Sequence, residues 1–161
     1  MASVNVTVNG IDSLTHRFNN ISKMNLRKAM SKAVSVVHAQ AKALAPVDTG
    51  NLAGSIHMDI KEEDKTIIGR VYTNLQYAPY VEFGTGIKGN GTYKYKVKDL
   101  NLTYRNSGWV YTPDGGDTFY YTEGQVAQPY MYPALKENES YIKKLFNEEA
   151  KAILKANSKG G

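Results

Sequence analysis

Val4, Val6 and Val8 alternate with Asn5, Thr7 and Asn9 ahead of Gly10, the period of a short half-buried strand. The period then lengthens. Leu14, Phe18 and Ile21 lie at helical spacing, and Leu26, Met30, Ala33, Val37, Ala41 and Leu44 continue an apolar stripe, which predicts a long helix capped by Asp12 or Ser13 and bent or broken at Asn19-Asn20. Pro46 lacks an N–H and drives Ala45 out of helical conformation, so this helix must stop near Leu44. Asp48-Thr49-Gly50 then supplies a turn, with Asp48 in an Asx-turn and Gly50 at a φ that other residues resist.

Leu52, Ile56, Met58 and Ile60 alternate with Ser55, His57, Asp59 and Lys61. The acidic Glu62-Glu63-Asp64 separates this run from the apolar Thr66–Thr73, which predicts a two-stranded hairpin with a charged turn. Pro79 interrupts the aromatic segment Tyr77–Gly84, too short for an element of its own and expected to pack on the sheet edge. Ile87 to Gly124 differs in composition. It is rich in Gly, Tyr and Thr, with Asn90-Gly91, Asn106-Ser107-Gly108 and Asp114-Gly115-Gly116 as turn signals around Tyr93–Val97 and Trp109–Thr112, and predicts extra strands or a long hairpin. From Pro133 the helical period returns, with Leu135, Ile142, Leu145, Phe146, Ile153 and Leu154 on one side and lysines mostly on the other.

These elements add up to an α+β fold: a long N-terminal helix and a C-terminal helix packed on one face of an antiparallel β-sheet. The expected organisation is a single domain over 1–156, a β-hairpin-like insertion over 87–124 within it, and a flexible tail over 157–161. A chain of 161 residues can bury a core without staples, and its lack of cysteine removes disulfides, thiolate zinc sites and cysteine nucleophiles together. The start has no basic, then apolar, leader pattern, and no stretch approaches the roughly 18 apolar residues of a membrane span. A soluble protein made in a reducing cytoplasm is the expectation. The net charge of +5 is within what solubility alone explains.

Several motifs tempt an enzymatic reading. Gly84-Thr85-Gly86-Ile87-Lys88-Gly89 has dinucleotide-loop spacing, but an aromatic turn precedes it where a buried parallel strand should, and no helix pattern follows; a flexible glycine turn is expected instead. Asp48-Thr49-Gly50 is the tripeptide of aspartic proteases, in which two carboxylates share a proton across a dimer. Here it follows a helix and Pro46, and a fold-shaping turn is the better account. His16, His38 and His57 are scattered without ligand spacing, and Asp114 and Asp117 flank glycines without further oxygen ligands. No catalytic residue, cofactor or metal site is assigned.

From Lys88 to Arg105 the cations Lys88, Lys94, Lys96, Lys98 and Arg105 face one acid, Asp99, with Tyr93, Tyr95 and Tyr104 interleaved and Trp109 and Tyr111 following. Such a stretch suits either single-stranded nucleic acid or a protein interface, where Tyr, Trp and Arg dominate hot spots; the interface is favoured.

Three segments in order, Ala45-Pro46-Val47-Asp48-Thr49-Gly50-Asn51-Leu52 with Ser55-Ile56, then Tyr77-Ala78-Pro79-Tyr80-Val81-Glu82-Phe83-Gly84-Thr85, then Gln128-Pro129-Tyr130-Met131-Tyr132-Pro133-Ala134-Leu135, resemble the HK97 gp10-like family of tailed-phage proteins. That family is variously described as tail-component, head-tail connector or tail-completion proteins. The resemblance implies a non-enzymatic virion subunit, present in the host cytoplasm during assembly. It implies self-association into a ring, hexameric or dodecameric, at the head-tail junction. Portal or head-completion proteins and tail-tube or tail-terminator proteins would be its partners, with genome DNA passing without sequence readout and no membrane involved. Asp48, Thr49, Gly50, Gly84, Thr85, Pro129 and Pro133 are then turn and motif positions. Tyr80, Glu82 and Phe83, with Lys94, Tyr95, Lys96, Arg105, Trp109 and Tyr111, are the candidate subunit or partner contacts. The insertion over 87–124 departs from the family pattern. Two other readings compete: a nucleic-acid-binding module using residues 88–111, and a homodimeric aspartic protease using Asp48.

Overall fold

In the computed structural model, the described residues are 2–7, 20–47, 50–63, 66–113 and 115–158. Along the chain they form β1 (Ala2–Thr7), α1 (Asn20–Leu44), α2 (Asn51–Gly54), β2 (Ile56–Glu63), β3 (Thr66–Thr73), α3 (Ala78–Phe83), α4 (Gly86–Gly89), β4 (Trp109–Tyr111), β5 (Tyr120–Thr122), β6 (Gly124–Gln125) and α5 (Met131–Ser158). The architecture is α+β, as expected.

The hairpin β2–β3 pairs antiparallel from Ile56↔Thr73 to Glu63↔Thr66, and β1 adds antiparallel on the other side of β3, giving the order β1-β3-β2. The strict alternation along β3 places Ile67, Gly69, Val71 and Thr73 inward, where α1 crosses the sheet and packs in turn on α5. Met30, Ala33, Val34, Val37 and Ala41 form the buried stripe of α1, joined by Ile56, Val71, Tyr130, Met131, Ala134 and Ile142 in one core. Gly69 sets the helix-to-sheet distance. A Cβ there would lie 2.2 Å from Val34 Cγ2 and 2.7 Å from Met30 Sδ, so only the bare backbone admits those two side chains. On the opposite face, Arg70 forms a bidentate pair with Asp59 across the strands and lies over the Tyr72 ring, which also meets His57. Arg70 thereby holds the Asp59 carboxyl below its ordinary pKa.

The joint between α1 and the sheet is built from hydrogen bonds. The N-terminal helix ends at Leu44, before Pro46, and Gly50 adopts φ 77° ahead of α2. Ser55 then ties the turn to β3 through Leu52 O and Thr73 Oγ1, both at 2.7 Å, while His38 Nε2 donates to Ile56 O at 2.9 Å.

Several expectations are corrected. Leu52 belongs to α2, not to the alternating strand, which starts at Ile56. Leu44 and Leu154, placed on the apolar stripes, are 37% and 55% exposed, while their neighbours Ala45 and Ile153 take the buried side. Tyr77–Gly84 contains a helix of its own, α3, opened by Pro79 in its first turn. The C-terminal helix starts at Met131, two residues before Pro133, and runs through Ser158, so residues 157 and 158 are helical rather than tail. In the insertion, β4 and β5 make a two-stranded hairpin, but Tyr93–Val97 is not a strand. The expected caps Asp12 and Ser13, together with Asp48, Thr49 and Asp114, lie outside the described residues.

Candidate functional site: a clasped arm and its groove

Glu82 was expected among partner contacts. It is 2% exposed and spends its carboxylate inside the molecule. Its Oε2 accepts from the backbone N–H groups of Tyr130 at 2.7 Å and Met131 at 2.9 Å, and its Oε1 from that of Tyr132 at 3.1 Å. These are the first N–H groups of α5, and the next residue, Pro133, has none to offer. One side chain, 48 residues upstream of its nearest contact, therefore satisfies the whole orphan set at this helix start and places negative charge at the positive end of the helix dipole. Glu82 and the backbone of Tyr130, Met131 and Tyr132 form one internal clasp between the second and third resembling segments.

The clasp is extended by Gln128 N–H to Val81 O at 2.8 Å and by Gln125 Nε2 to Tyr80 O at 2.9 Å. Around it lie tyrosines in a dry setting. Burial, with the Glu82 charge second, holds the phenols of Tyr93 and Tyr130 well above the ordinary tyrosine range, so both stay neutral. Phe83, Tyr93, Tyr95 and Tyr132 stack in sequence with centroid separations of 5.0, 5.7 and 5.2 Å, a ladder from α3 to the first turn of α5. Phe83 and Tyr95, expected at a partner surface, thus carry internal contacts.

Between these anchors the insertion leaves and returns at one place. Thr85 pairs with Gln125 and Gly86 with Gly124, and Lys88 N–H donates to Glu123 O at 3.2 Å. Gly86 and Gly124, at φ 61° and 96°, stand so close that a Cβ on Gly124 would lie 1.9 Å from Thr85 O. The dinucleotide-like glycines are therefore a packed junction and not the flexible turn expected. Further in, Ala127 N–H reaches Thr92 Oγ1 at 2.8 Å and Tyr104 Oη donates to Phe83 O at 2.9 Å.

Beside this root an open groove of about 700 Å³ lies between α3 and the β4–β5 hairpin. Tyr77, Tyr80, Tyr104, Trp109 and Tyr111 line it, and Arg105 is the one charged residue in its wall. The guanidinium stands 5.6 Å over the Trp109 ring and has no ion-pair partner among the described residues. Of the expected interface set, the structure brings Tyr80, Arg105, Trp109 and Tyr111 to this groove. Lys94 and Lys96 are exposed elsewhere on the arm, Lys94 bonding Gly91 O at 3.0 Å. Tyr77 and Tyr104, from the aromatic segments, join them, and Gln125 completes the site without any local signal in the sequence, since only the pairing at the arm root brings residue 125 beside residue 80. Among the described residues no group of acids and histidines could hold a metal ion, and no helix is long and apolar enough to cross a membrane.

Residues 11–84 match the profile of the family described as "Bacteriophage HK97-gp10, putative tail-component". Over α1 to α3 the chain is thereby similar to that family, a stretch that includes the first of the three resembling segments and the second up to Gly84. No curated protein and no solved structure gives a match. The matched stretch stops one residue before the arm root at Thr85.

Proposed function

We propose that this chain is a structural, non-enzymatic component of a tailed-phage virion that self-associates into a ring at the head-tail junction. In that position it joins portal or head-completion proteins to the tail tube, the body over the helices and sheet serving as the rigid block and the arm over 87–124 as the adapter. The observation that carries this reading is the coincidence of two boundaries. The stretch related to tail components ends where the arm begins, and the arm turns large apolar side chains, Val110, Phe119, Tyr120 and Tyr121, to solvent beside a groove lined with aromatic rings. Surfaces of that kind mark contacts with other chains.

The charge pattern supports a protein contact over a polyanion. Of the five cations between 88 and 105, Lys88 faces Glu123 at 4.0 Å, Lys94 caps a carbonyl and Arg105 stacks on Trp109, which leaves Lys96 and Lys98 without such a contact. A ring built of heterologous contacts closes if each copy is rotated by a simple fraction of a turn. The test is a density map of purified virions, with mass photometry of the concentrated protein beside it. Density for this chain at the collar, in a closed ring, is the expected result. Its absence from the particles, or tight salt-dependent binding of single-stranded DNA by the free protein, would replace this reading.

A further inference from the structure

Two exposed features of the arm are complementary. The first is the tip of the β4–β5 hairpin. Between the paired strands that end at Tyr111 and begin at Tyr120, Gly115 and Gly116 have nothing within 4 Å of where a Cβ would sit. Phe119 is 73% exposed, the largest value for any aromatic side chain in the described residues, and the exposed Asp117 stands two positions before it. The second is the groove, with aromatic walls and a single charge, the Arg105 guanidinium. An acid and an adjacent aromatic ring on a loop match a cation and adjacent aromatic rings in a cleft, in both charge and apolar character.

We propose that the hairpin tip of one copy seats in the aromatic groove of the next copy, with Phe119 between the rings of Tyr80 and Trp109 and Asp117 paired with Arg105. This rests on the ring reading above and names its contact. The contact is heterologous: each copy offers a tip to one neighbour and a groove to the other, the arrangement that propagates around a ring. It explains why the groove and the hairpin belong to one arm. Trp109 and Tyr111 of β4 are wall residues, so the strand that carries the tip outward also builds the receptor for the incoming one.

Because the chain has no cysteine, the contact can be read by engineered thiols. Thr118→Cys and Thr103→Cys are made in separate full-length chains of different mass, mixed and oxidised. The expected product is the mixed disulfide dimer, and each variant alone should give little of it. Asp117→Arg and Arg105→Glu, both at exposed positions, should each weaken association about tenfold or more, the size of a close interfacial charge pair, while the two variants mixed, or both changes in one chain, restore it. Assembly into collar rings without the mixed disulfide, or with no rescue by the double exchange, overturns the tip-in-groove contact and leaves the ring reading standing. A cross-link confined to a chain carrying both thiols places the tip in its own groove and also overturns it. Failure of the unmodified chain to form rings in virions defeats both.

Discussion

The body and the arm are held together by different physics. In the body, α1 and α5 cover one face of the sheet and remove Met30, Val34, Val37, Ile56, Val71 and Tyr130 almost wholly from water, so the packing of regular elements on one another supplies the stability. The arm has one pair of three-residue strands and a root fastened by hydrogen bonds, and while Tyr93 and Tyr104 pack inward, Val110, Tyr111, Phe119, Tyr120 and Tyr121 stay at the surface. A region of that second kind has its shape fixed at one end and its apolar surface uncovered. Under the proposed function, that uncovered surface is what contact with another chain would bury.

The largest effect should come where the two regions share a residue. Glu82→Ala leaves three backbone N–H groups at the start of α5 without a partner, and about 3 kcal/mol or more of stability should be lost in chemical denaturation. An effect under about 1 kcal/mol would mean that the clasp is dispensable. Within the body alone, Gly69→Val forces methyl groups into Met30 and Val34 and should cost about 1–3 kcal/mol by the same measurement.

Removing residues 87–124 behind a short glycine bridge should leave the helical circular dichroism and a cooperative melt in place while abolishing rings. Loss of the cooperative melt would make the arm part of the core and erase the contrast. Phe119→Ser should change stability by no more than about 0.5 kcal/mol, because the ring touches little in the single chain, yet reduce assembly clearly. The smallest effect is a pH dependence in the body. Lys136 and Lys143 bracket Glu139 and hold its carboxyl down from 4.5 to about 2. A folded pKa below the unfolded one means that the stabilisation is present above about pH 4.5 and fades as the pH falls toward 2. Glu139→Gln should therefore flatten the pH dependence of the melting temperature over that window, lowering it slightly near neutrality and leaving it unchanged near pH 2.

How much of this was readable before the structure differs by region for the same reason. Strand β3 and both long helices follow from period, because their side chains sort between a buried and a solvated face, whereas in β2 the alternation marks the strand although only Ile56 is buried and Met58 is exposed. The Tyr93–Val97 alternation resembles a strand but has no partner segment to pair with; its tyrosines alternate because they stack on Phe83 and Tyr132 instead. Glu82 was marked by its place in a motif, yet its task was invisible, since a cap supplied from 48 residues away leaves no trace at the helix start beyond Pro133. The groove shares that opacity. Its walls come from α3, from residues 103 to 111 and from 122 to 125, and only the pairing of Gly86 with Gly124 closes them into one surface.

That pairing has a practical corollary. Two chain crossings held side by side make the part of the arm beyond Tyr104 exchangeable: with Thr92, Tyr93, Tyr95 and Tyr104 kept for their contacts to the body, a foreign hairpin spliced there would meet the same junction, with only about 0.6 kcal/mol of added closure entropy for each doubling of length. The helices and sheet would then be a chassis onto which other adapters could be grafted without redesigning it.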